Sequence, residues 1–186
     1  MPRKHGGYDS VREAILAAAA LRFTETGVHG ASLNDIAAAA RLSKGTLYYY
    51  YPTKEQLVAD IAESAIAKTT DAIFTWVDSL EREESQRGAL LRLTEDLTRD
   101  EGAMRLHVVL CAEAATGNQA LAQLISAAYR EWTVMLEVGI LKLKSQNSRL
   151  VHVRAQLFFA ALDGYMLQHP GGLTDLDRKT LVEQIF

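Results

Sequence analysis

The stretch that decides the fold of this 186-residue chain reads Leu42-Ser43-Lys44-Gly45-Thr46-Leu47-Tyr48-Tyr49-Tyr50-Tyr51-Pro52-Thr53-Lys54-Glu55-Gln56-Leu57. Ser43 and Thr53 are residue types that cap helix N-termini, so the stretch predicts two successive helix starts. Pro52 ends the first helix near Tyr50, because the residue before a proline is disfavoured in the helical conformation. The stretch therefore predicts a short helix, a sharp stop and a longer helix that begins at Lys54.

Two further helices are predicted upstream of this stretch. Apolar residues recur at three- and four-residue steps over residues 9–26, and Gly27 is suited to end that helix. Ser32 caps a second, short helix, with an acidic residue at the capping-box position. A three-residue turn, residues 41–43, joins it to the short helix over residues 44–50. Two short helices with this spacing, preceded by a longer one, are typical of a helix-turn-helix unit.

The rest of the chain is also predicted to be helical. Apolar periodicity and breaker residues predict helices over residues 54–80, 87–100, 103–116, 119–145, 149–168 and 174–185. No stretch alternates convincingly with a period of two, so no strand is predicted. The expected fold class is all-α: an N-terminal three-helix helix-turn-helix domain plus a C-terminal helical bundle, about nine helices in total. We place the domain boundary after residue 53.

Composition limits the possible classes of protein. Hydrophobic residues make up 48% of the chain and charged residues 23%, as in ordinary globular proteins. No apolar run approaches the ~18 residues of a membrane span, and no apolar segment resembling a secretory signal follows the first residues. Cys111 is the single cysteine and cannot form an internal disulfide, so a cytoplasmic protein is expected.

Charge is distributed unevenly along the chain. Residues 1–54 contain seven Lys or Arg and four Asp or Glu, a balance of +3, whereas the remainder carries −6. A basic N-terminal piece on an acidic body suits a head that binds a polyanion such as DNA. Chance fluctuation in charge is the alternative explanation.

The second short helix carries side chains suited to the DNA major groove. Lys44 supplies a cation, Gly45 lets the backbone approach closely, and Thr46 offers a hydroxyl and a methyl group. Four successive tyrosines point in four directions around a helix, so they cannot all be buried in so small a unit. We therefore expect at least two of them to face double-stranded DNA.

The head resembles that of the tetracycline-repressor (TetR) family. The match comprises residues 42–57 and, in order and spacing, Ile15, Ala19, Phe23, Gly27, Ser32, Ile36 and Ala37. It covers roughly residues 9–60. The resemblance implies that Leu47 faces the core and that DNA is contacted by Ser32, Asn34, Lys44, Gly45, Thr46, Tyr48, Tyr49, Tyr50 and Lys54.

Two residues depart from the family pattern. Arg41 stands in the turn where the family usually has glycine, and an arginine there takes a left-handed conformation only at some cost. Tyr51 stands where the family usually has phenylalanine. Because that side chain packs inward, we expect its hydroxyl to find a buried partner.

The resemblance implies that residues 54–186 form a ligand-binding and dimerisation domain. The segment over residues 149–168 is apolar around most of its circumference, which suits a helix at a two-fold interface. We expect the dimer interface to include Phe158, Leu162, Tyr165 and Met166. An ordinary buried core helix is the alternative interpretation.

Candidate ligand-binding residues share helix faces in the middle of the chain. They are Trp76, Met104, His107, Cys111, Tyr129, Trp132 and Met135. Such a lining would hold an unknown, largely apolar small molecule, and no other cofactor is expected. An aromatic or methionine stripe is also what a plain core shows. His107 and Cys111 lie one helical turn apart, but no third metal ligand or catalytic motif accompanies them.

The leading functional hypothesis is a homodimeric, ligand-responsive repressor that binds a palindromic operator. A helical enzyme or ligand carrier with a vestigial head is the second hypothesis, and the basic head argues against it. A transcriptional activator or DNA-architectural protein of the same fold is the third.

Overall fold

Helices dominate the structure, which a computed structural model describes for residues 5–81, 84–143 and 150–186. These ranges contain nine α-helices and no strand: α1 His5–Gly30, α2 Leu33–Ala39, α3 Lys44–Tyr50, α4 Lys54–Ser79, α5 Gln86–Leu97, α6 Glu101–Ala115, α7 Gln119–Lys142, α8 Val151–Gln168 and α9 Arg178–Ile185. The all-α prediction is confirmed. The predicted end of α7 at residue 145 and start of α8 at residue 149 lie outside the described residues. None of the helices in these ranges is both long and apolar enough to cross a membrane.

The first helix differs from its prediction at one end only. It already includes His5, four residues before the expected start, so a start at residue 9 was wrong. Gly27 interrupts it as expected, with a left-handed φ of 71°. A glycine takes this conformation without the Cβ clash that penalises other residues. The segment from Gly27 to Gly30 therefore turns away from the axis of the first 22 residues of α1.

Side-chain caps start the next three helices at the predicted positions. Ser32 and Asp35 form a complete capping box, in which Oγ of Ser32 accepts from the Asp35 amide at 3.1 Å. Oγ of Ser43 accepts from the Thr46 amide at 3.0 Å and begins α3. Thr53 caps α4 in the same way. Since each cap is a local interaction, the sequence suffices to predict these starts.

The turn between α2 and α3 closes through a left-handed Arg41, whose φ is 56°. Its amide donates to the carbonyl of Ala38 at 3.1 Å, and the Leu42 amide donates to the carbonyl of Ala37 at 2.9 Å. Arg41 thus adopts the conformation that a glycine would take at this position. This conformation is unfavourable for arginine, because its Cβ lies too close to the following carbonyl oxygen.

Buried side chains form two clusters. We call the first the head cluster; it contains Phe23, Leu47 and Leu57 among its members. We call the second the body cluster; it contains Trp76 and Phe158. The first turns of α4 belong to the head cluster and its second half to the body cluster, so α4 is shared by both units. The domain boundary after residue 53 stays a prediction, and buried packing does not stop there.

Helix α6 also contributes to both clusters. Met104, in its first turn, is buried in the body cluster, whereas Leu110 is buried in the head cluster. Helix α7 does the same, with Leu121 in the head cluster and Trp132 in the body cluster. Helices α4, α6 and α7 therefore each connect the head to the body.

Candidate functional site

One face of α3 is exposed to solvent, and the opposite face packs on the head cluster. Leu47 is completely buried in the head cluster, as expected. Lys44, Gly45, Tyr48 and Tyr49 are exposed, and Tyr49 shows 76% of its surface. A short helix held by one buried leucine thus presents two aromatic rings and a cation to solvent. That combination suits insertion into a DNA groove.

The tyrosine run divides into different environments. Tyr50 is half-buried because its ring stacks on Tyr8 of α1, with centroids 4.6 Å apart. Tyr49 meets the edge of Tyr50 at 5.6 Å. Tyr8 is itself 47% exposed and joins the candidate DNA surface, where sequence reasoning did not place it. No sequence signal marks Tyr8, because the stacking depends on the angle between α1 and α3.

Two of the predicted polar DNA contacts, Ser32 and Thr46, have hydrogen-bond partners within the chain. The hydroxyl oxygens of Thr46 and Ser43 lie 2.8 Å apart, and Ser32 is engaged in the capping box. Asn34 is exposed on α2. The contact of these residues with DNA stays a prediction.

Lys54 has a structural role that the sequence did not suggest. Its Nζ donates to the carbonyl oxygen of Val28 at 2.9 Å and lies 3.3 Å from that of Ala31. These carbonyls belong to the segment after the Gly27 break, where the helical hydrogen bonds of α1 run out. The ammonium group therefore connects the start of α4 to the end of α1.

The partner expected for the Tyr51 hydroxyl is Asp60, which is partly buried. The Tyr51 hydroxyl donates to Oδ2 of Asp60, which also accepts from Nε of Arg12 at 3.0 Å. Burial, followed by the hydrogen bond to Asp60, raises the pKa of Tyr51 above its ordinary value, so the phenol stays neutral. This group, the Arg12–Asp60–Tyr51 network, joins α1, the end of α3 and α4.

A cavity of about 530 Å³ lies between α1, α4 and α6, where the head meets the body. Its volume is in the range of small-molecule pockets. Three of the predicted ligand-binding residues line it: Met104, His107 and Trp132. Arg12 lines it too, so the cavity adjoins the Arg12–Asp60–Tyr51 network.

His107 belongs to a polar cluster that crosses the body. Its Nε2 lies 3.0 Å from Oδ1 of Asp163 on α8 and 3.0 Å from the Tyr129 hydroxyl on α7. Tyr129 donates to Asp163 at 2.5 Å, and Sγ of Cys111 lies 3.5 Å from Nε2. Burial lowers the pKa of His107, but the hydrogen bond to Asp163 and the contact with Cys111 outweigh it and raise the pKa to about 10. The imidazole is therefore an imidazolium at neutral pH.

The remaining predicted ligand-binding residues are placed elsewhere. Trp76 is buried in the body cluster, where its Nε1 donates to the Ala89 carbonyl at 2.7 Å and its ring fills the space a side chain at Gly139 would need. Tyr129 lines a second cavity, between α7 and α8. Cys111 and Met135 line neither cavity. In the described ranges no group of three His, Cys, Asp or Glu is arranged to hold a metal ion.

Comparison with known proteins agrees with the geometry of the head. Residues 15–61 match the profile of the bacterial regulatory proteins of the tetR family. The HTH-type transcriptional regulator LmrA of Bacillus subtilis is 31% identical over 148 residues, which cover 76% of this chain and 77% of LmrA. The chain belongs to the TetR family. It is accordingly a DNA-binding transcriptional regulator, as the sequence predicted.

Other similarities are shorter or more distant. The transcriptional repressor SCO4008 of Streptomyces coelicolor is 32% identical over 92 residues, covering 46% of this chain and 48% of that protein. The structure of AibR, in complex with isovaleryl coenzyme A and operator DNA, matches with a TM-score of 0.69 at 20% identity. It covers 94% of this chain and 95% of that one. At that identity the likeness establishes the fold throughout the TetR-family body.

The α8 side chains expected at a TetR-family dimer interface lie in the core of their own chain. Phe158, Leu162, Tyr165 and Met166 are all buried in the body cluster. Their surfaces are therefore already covered by α7, α9 and neighbouring helices. The exposed apolar residues of α8 are instead Val153, Leu157 and Leu167.

Proposed function

We propose that this TetR-family regulator is a repressor that binds a palindromic operator as a homodimer and is released by a small molecule. The observation that carries the proposal is the solvent-facing surface of α3, which exposes Lys44, Tyr48 and Tyr49 above a fully buried Leu47. A recognition helix needs this arrangement, because its base-contacting side chains must stand clear of the core that orients them. The role places the protein with the DNA, in the cytoplasm.

The proposed dimer uses the exposed face of α8. Val153 and Leu157 lie one helical turn apart and Leu167 continues the same stripe, each about half exposed. Val134, Val138 and Leu141 form a second exposed apolar stripe on α7, the helix that packs beside α8. A second copy of the chain would cover both stripes across a two-fold axis. The same axis would place two α3 helices on successive turns of a palindromic operator.

The proposed effector site is the cavity between α1, α4 and α6. A ligand there touches both the head and the body, and α4 and α6 each have buried residues in both clusters. Binding would change the angle between head and body only if the ligand favours one arrangement over another. AibR, whose structure contains both an acyl-coenzyme A and operator DNA, supports a combined DNA and ligand response.

Repression is proposed in preference to activation because a curated relative, SCO4008, is a repressor. No catalytic role forms part of the proposal. Both effects on transcription require the same first step, which is selective binding to one DNA sequence.

The deciding experiment measures that selectivity. Duplexes that tile the DNA flanking the protein's own gene are labelled, and binding is followed by fluorescence anisotropy with shuffled duplexes of equal composition as controls. We expect at least one flanking duplex to bind ~1000-fold more tightly than its shuffled control, with affinity falling as salt rises. Equal binding to flanking and shuffled duplexes would overturn the proposal.

A further inference from the structure

The cavity between α1, α4 and α6 has a largely apolar wall that also carries polar side chains, among them Ser64, Thr69 and His107. Leu16 of α1, Ile61 of α4 and Trp132 of α7 supply apolar surface. His107 is one of the polar groups of the wall, and a quarter of its side-chain surface remains accessible. An apolar wall with a few polar groups is typical of sites for amphipathic organic molecules.

Within the described residues, one ring nitrogen of His107 makes hydrogen bonds and the other makes none. In the described part of the chain all its hydrogen bonds involve Nε2, which faces Asp163 on α8, Tyr129 on α7 and Cys111 on its own helix. When Nε2–H donates a hydrogen bond to Asp163, the protonated ring still has a second N–H, at Nδ1. A donor in a largely apolar cavity is stabilised by an acceptor on a bound ligand, and a charged acceptor makes the stronger hydrogen bond.

The other charges around the cavity balance one another. Arg12 and Lys68 line it together with the His107 imidazolium, and Glu13 is the single carboxylate among the lining residues. Two further carboxylates nearby offset two of these cations, because Asp60 accepts from Arg12 and Asp163 lies 3.0 Å from Nε2 of His107. A preference for an acid therefore depends on the local N–H donor at Nδ1 of His107 and not on an excess of positive charge.

We propose that this cavity binds an organic acid with an apolar body, whose carboxylate accepts a hydrogen bond from Nδ1 of His107. The imidazolium would then bridge two carboxylates, that of Asp163 and that of the ligand. The inference rests on the ligand response proposed above and specifies the chemical class of the effector. The apolar body would lie against α1 and α4.

The same cavity wall leads to the recognition helix. Arg12 lines the cavity on one side and holds Asp60 on the other, and Asp60 also accepts from Tyr51, which follows the last residue of α3. A ligand in the cavity therefore lies one ion pair away from the residue that ends α3. This contact explains how occupancy of the cavity can reach the DNA-binding surface without passing through the whole body.

The test compares acids with neutral and basic molecules of the same shape. Octanoate, 1-octanol and octylamine form one set, and 3-phenylpropionate and 3-phenylpropanol form a second. Binding to the full chain without DNA is measured by calorimetry, and by tryptophan fluorescence, to which Trp132 in the cavity wall contributes. We expect at least one acid to bind ten-fold or more tightly than its alcohol, and octylamine to bind least. Acids that bind no better than their alcohols, or no binding by either acid, would overturn the proposal.

A variant pair assigns the preference to His107. The amide nitrogen of a glutamine reaches the position of Nε2, so His107→Gln keeps a donor for Asp163 and removes the one at Nδ1. We expect it to bind the alcohols as before and to lose most of the preference for acids. His152→Gln is the matched control, because His152 is exposed and pairs with Glu137 away from this cavity. An acid preference that survives in His107→Gln contradicts the assignment, and the wild-type comparison stands even if that variant fails to fold.

DNA binding is measured separately on the same protein preparations. Selective DNA binding without a preference for acids would overturn the acid site and leave the proposed repressor intact. A preference for acids without selective DNA binding would do the reverse. Release of DNA by octanoate from the wild-type protein, but not from His107→Gln, supports both.

Discussion

The ammonium group of Lys54, the first residue of α4, donates a 2.9 Å hydrogen bond to the carbonyl oxygen of Val28 near the end of α1. The side chain reaches across 26 residues of sequence to backbone that the helix leaves without partners. The family resemblance implies a DNA contact for Lys54. A cation that already serves three carbonyls has a structural role first.

Lys54→Met is expected to lower the free energy of unfolding by about 1–2 kcal/mol, because charged hydrogen bonds to a partly buried carbonyl are lost. Urea denaturation measures this change. Lys44→Met is the matched control, because Lys44 is exposed on α3 and its loss should leave stability unchanged. It should instead make the slope of log affinity against log salt shallower by about 1, the effect of one lost phosphate contact. If Lys54→Met instead kept full stability and reduced the salt dependence, Lys54 would be a phosphate contact.

Arg41→Gly is expected to stabilise the head. Arg41 has a φ of 56°, and a left-handed non-glycine residue costs about 1 kcal/mol, part of which the greater freedom of glycine in the unfolded chain offsets. We expect a gain of up to about 1 kcal/mol in urea denaturation. Arg41→Ala is the control, because alanine keeps the Cβ and so should bring no gain. Equal gains in both variants would point to the arginine side chain and not to the backbone.

The head could be predicted from sequence because its determinants are local. The side chains of Ser32, Ser43 and Thr53 each accept from a backbone amide three residues further on. Leu47 is the one aliphatic residue of the short helix α3, so it is the obvious residue to bury. The need of Tyr51 for a buried partner was also foreseeable, since a phenol on an inward face must bond to something. Its identity, Asp60 on the next helix, was not.

The body was less predictable because its contacts join distant elements. The α8 segment is apolar on nearly all sides, so its sequence does not indicate which face meets its own core and which faces outward. The structure buries Phe158 and exposes its neighbour Leu157. Likewise Trp76 and His107 looked alike as candidates for a ligand site. Only the packing of α7 against α4 shows that Trp76 fills the space over Gly139 while His107 lines a cavity.

The stability of the body should depend on pH through His107. Its pKa is raised from 6.5 to about 10, so its contribution is fully present below pH 6.5 and is lost as pH rises through about 10. The free energy of unfolding of the wild type, relative to His107→Gln, should therefore fall between pH 7 and pH 10, at most by about 1.4 kcal/mol per pH unit. Urea denaturation of both proteins across that range measures the difference. Parallel curves would mean that the Asp163 contact does not hold the proton.

Tyr49→Ala should impair recognition of DNA sequence and leave the fold intact. The ring is 76% exposed, so its removal uncovers little of the head cluster. A base contact is worth about 1–3 kcal/mol, so selective affinity should fall about 10- to 100-fold while binding to shuffled DNA changes little. Fluorescence anisotropy on both duplexes measures the ratio. Leu47→Ala is a contrasting control that should unfold the head, because Leu47 is completely buried. If selectivity is unchanged in Tyr49→Ala, Tyr49 makes no contact that distinguishes one DNA sequence from another.

Leu157→Glu tests the proposed dimer face. Leu157 is 53% exposed at the middle of the α8 stripe, so a charge there should remain hydrated in the monomer but be buried without a partner in a dimer. We expect sedimentation velocity to show a monomer with an unchanged helical content. Leu21→Glu is the matched control, since Leu21 is 58% exposed on α1, far along the chain from both stripes. A dimer that survives in Leu157→Glu would exclude this face, because two buried carboxylates cannot lie at a two-fold contact without a large loss of affinity.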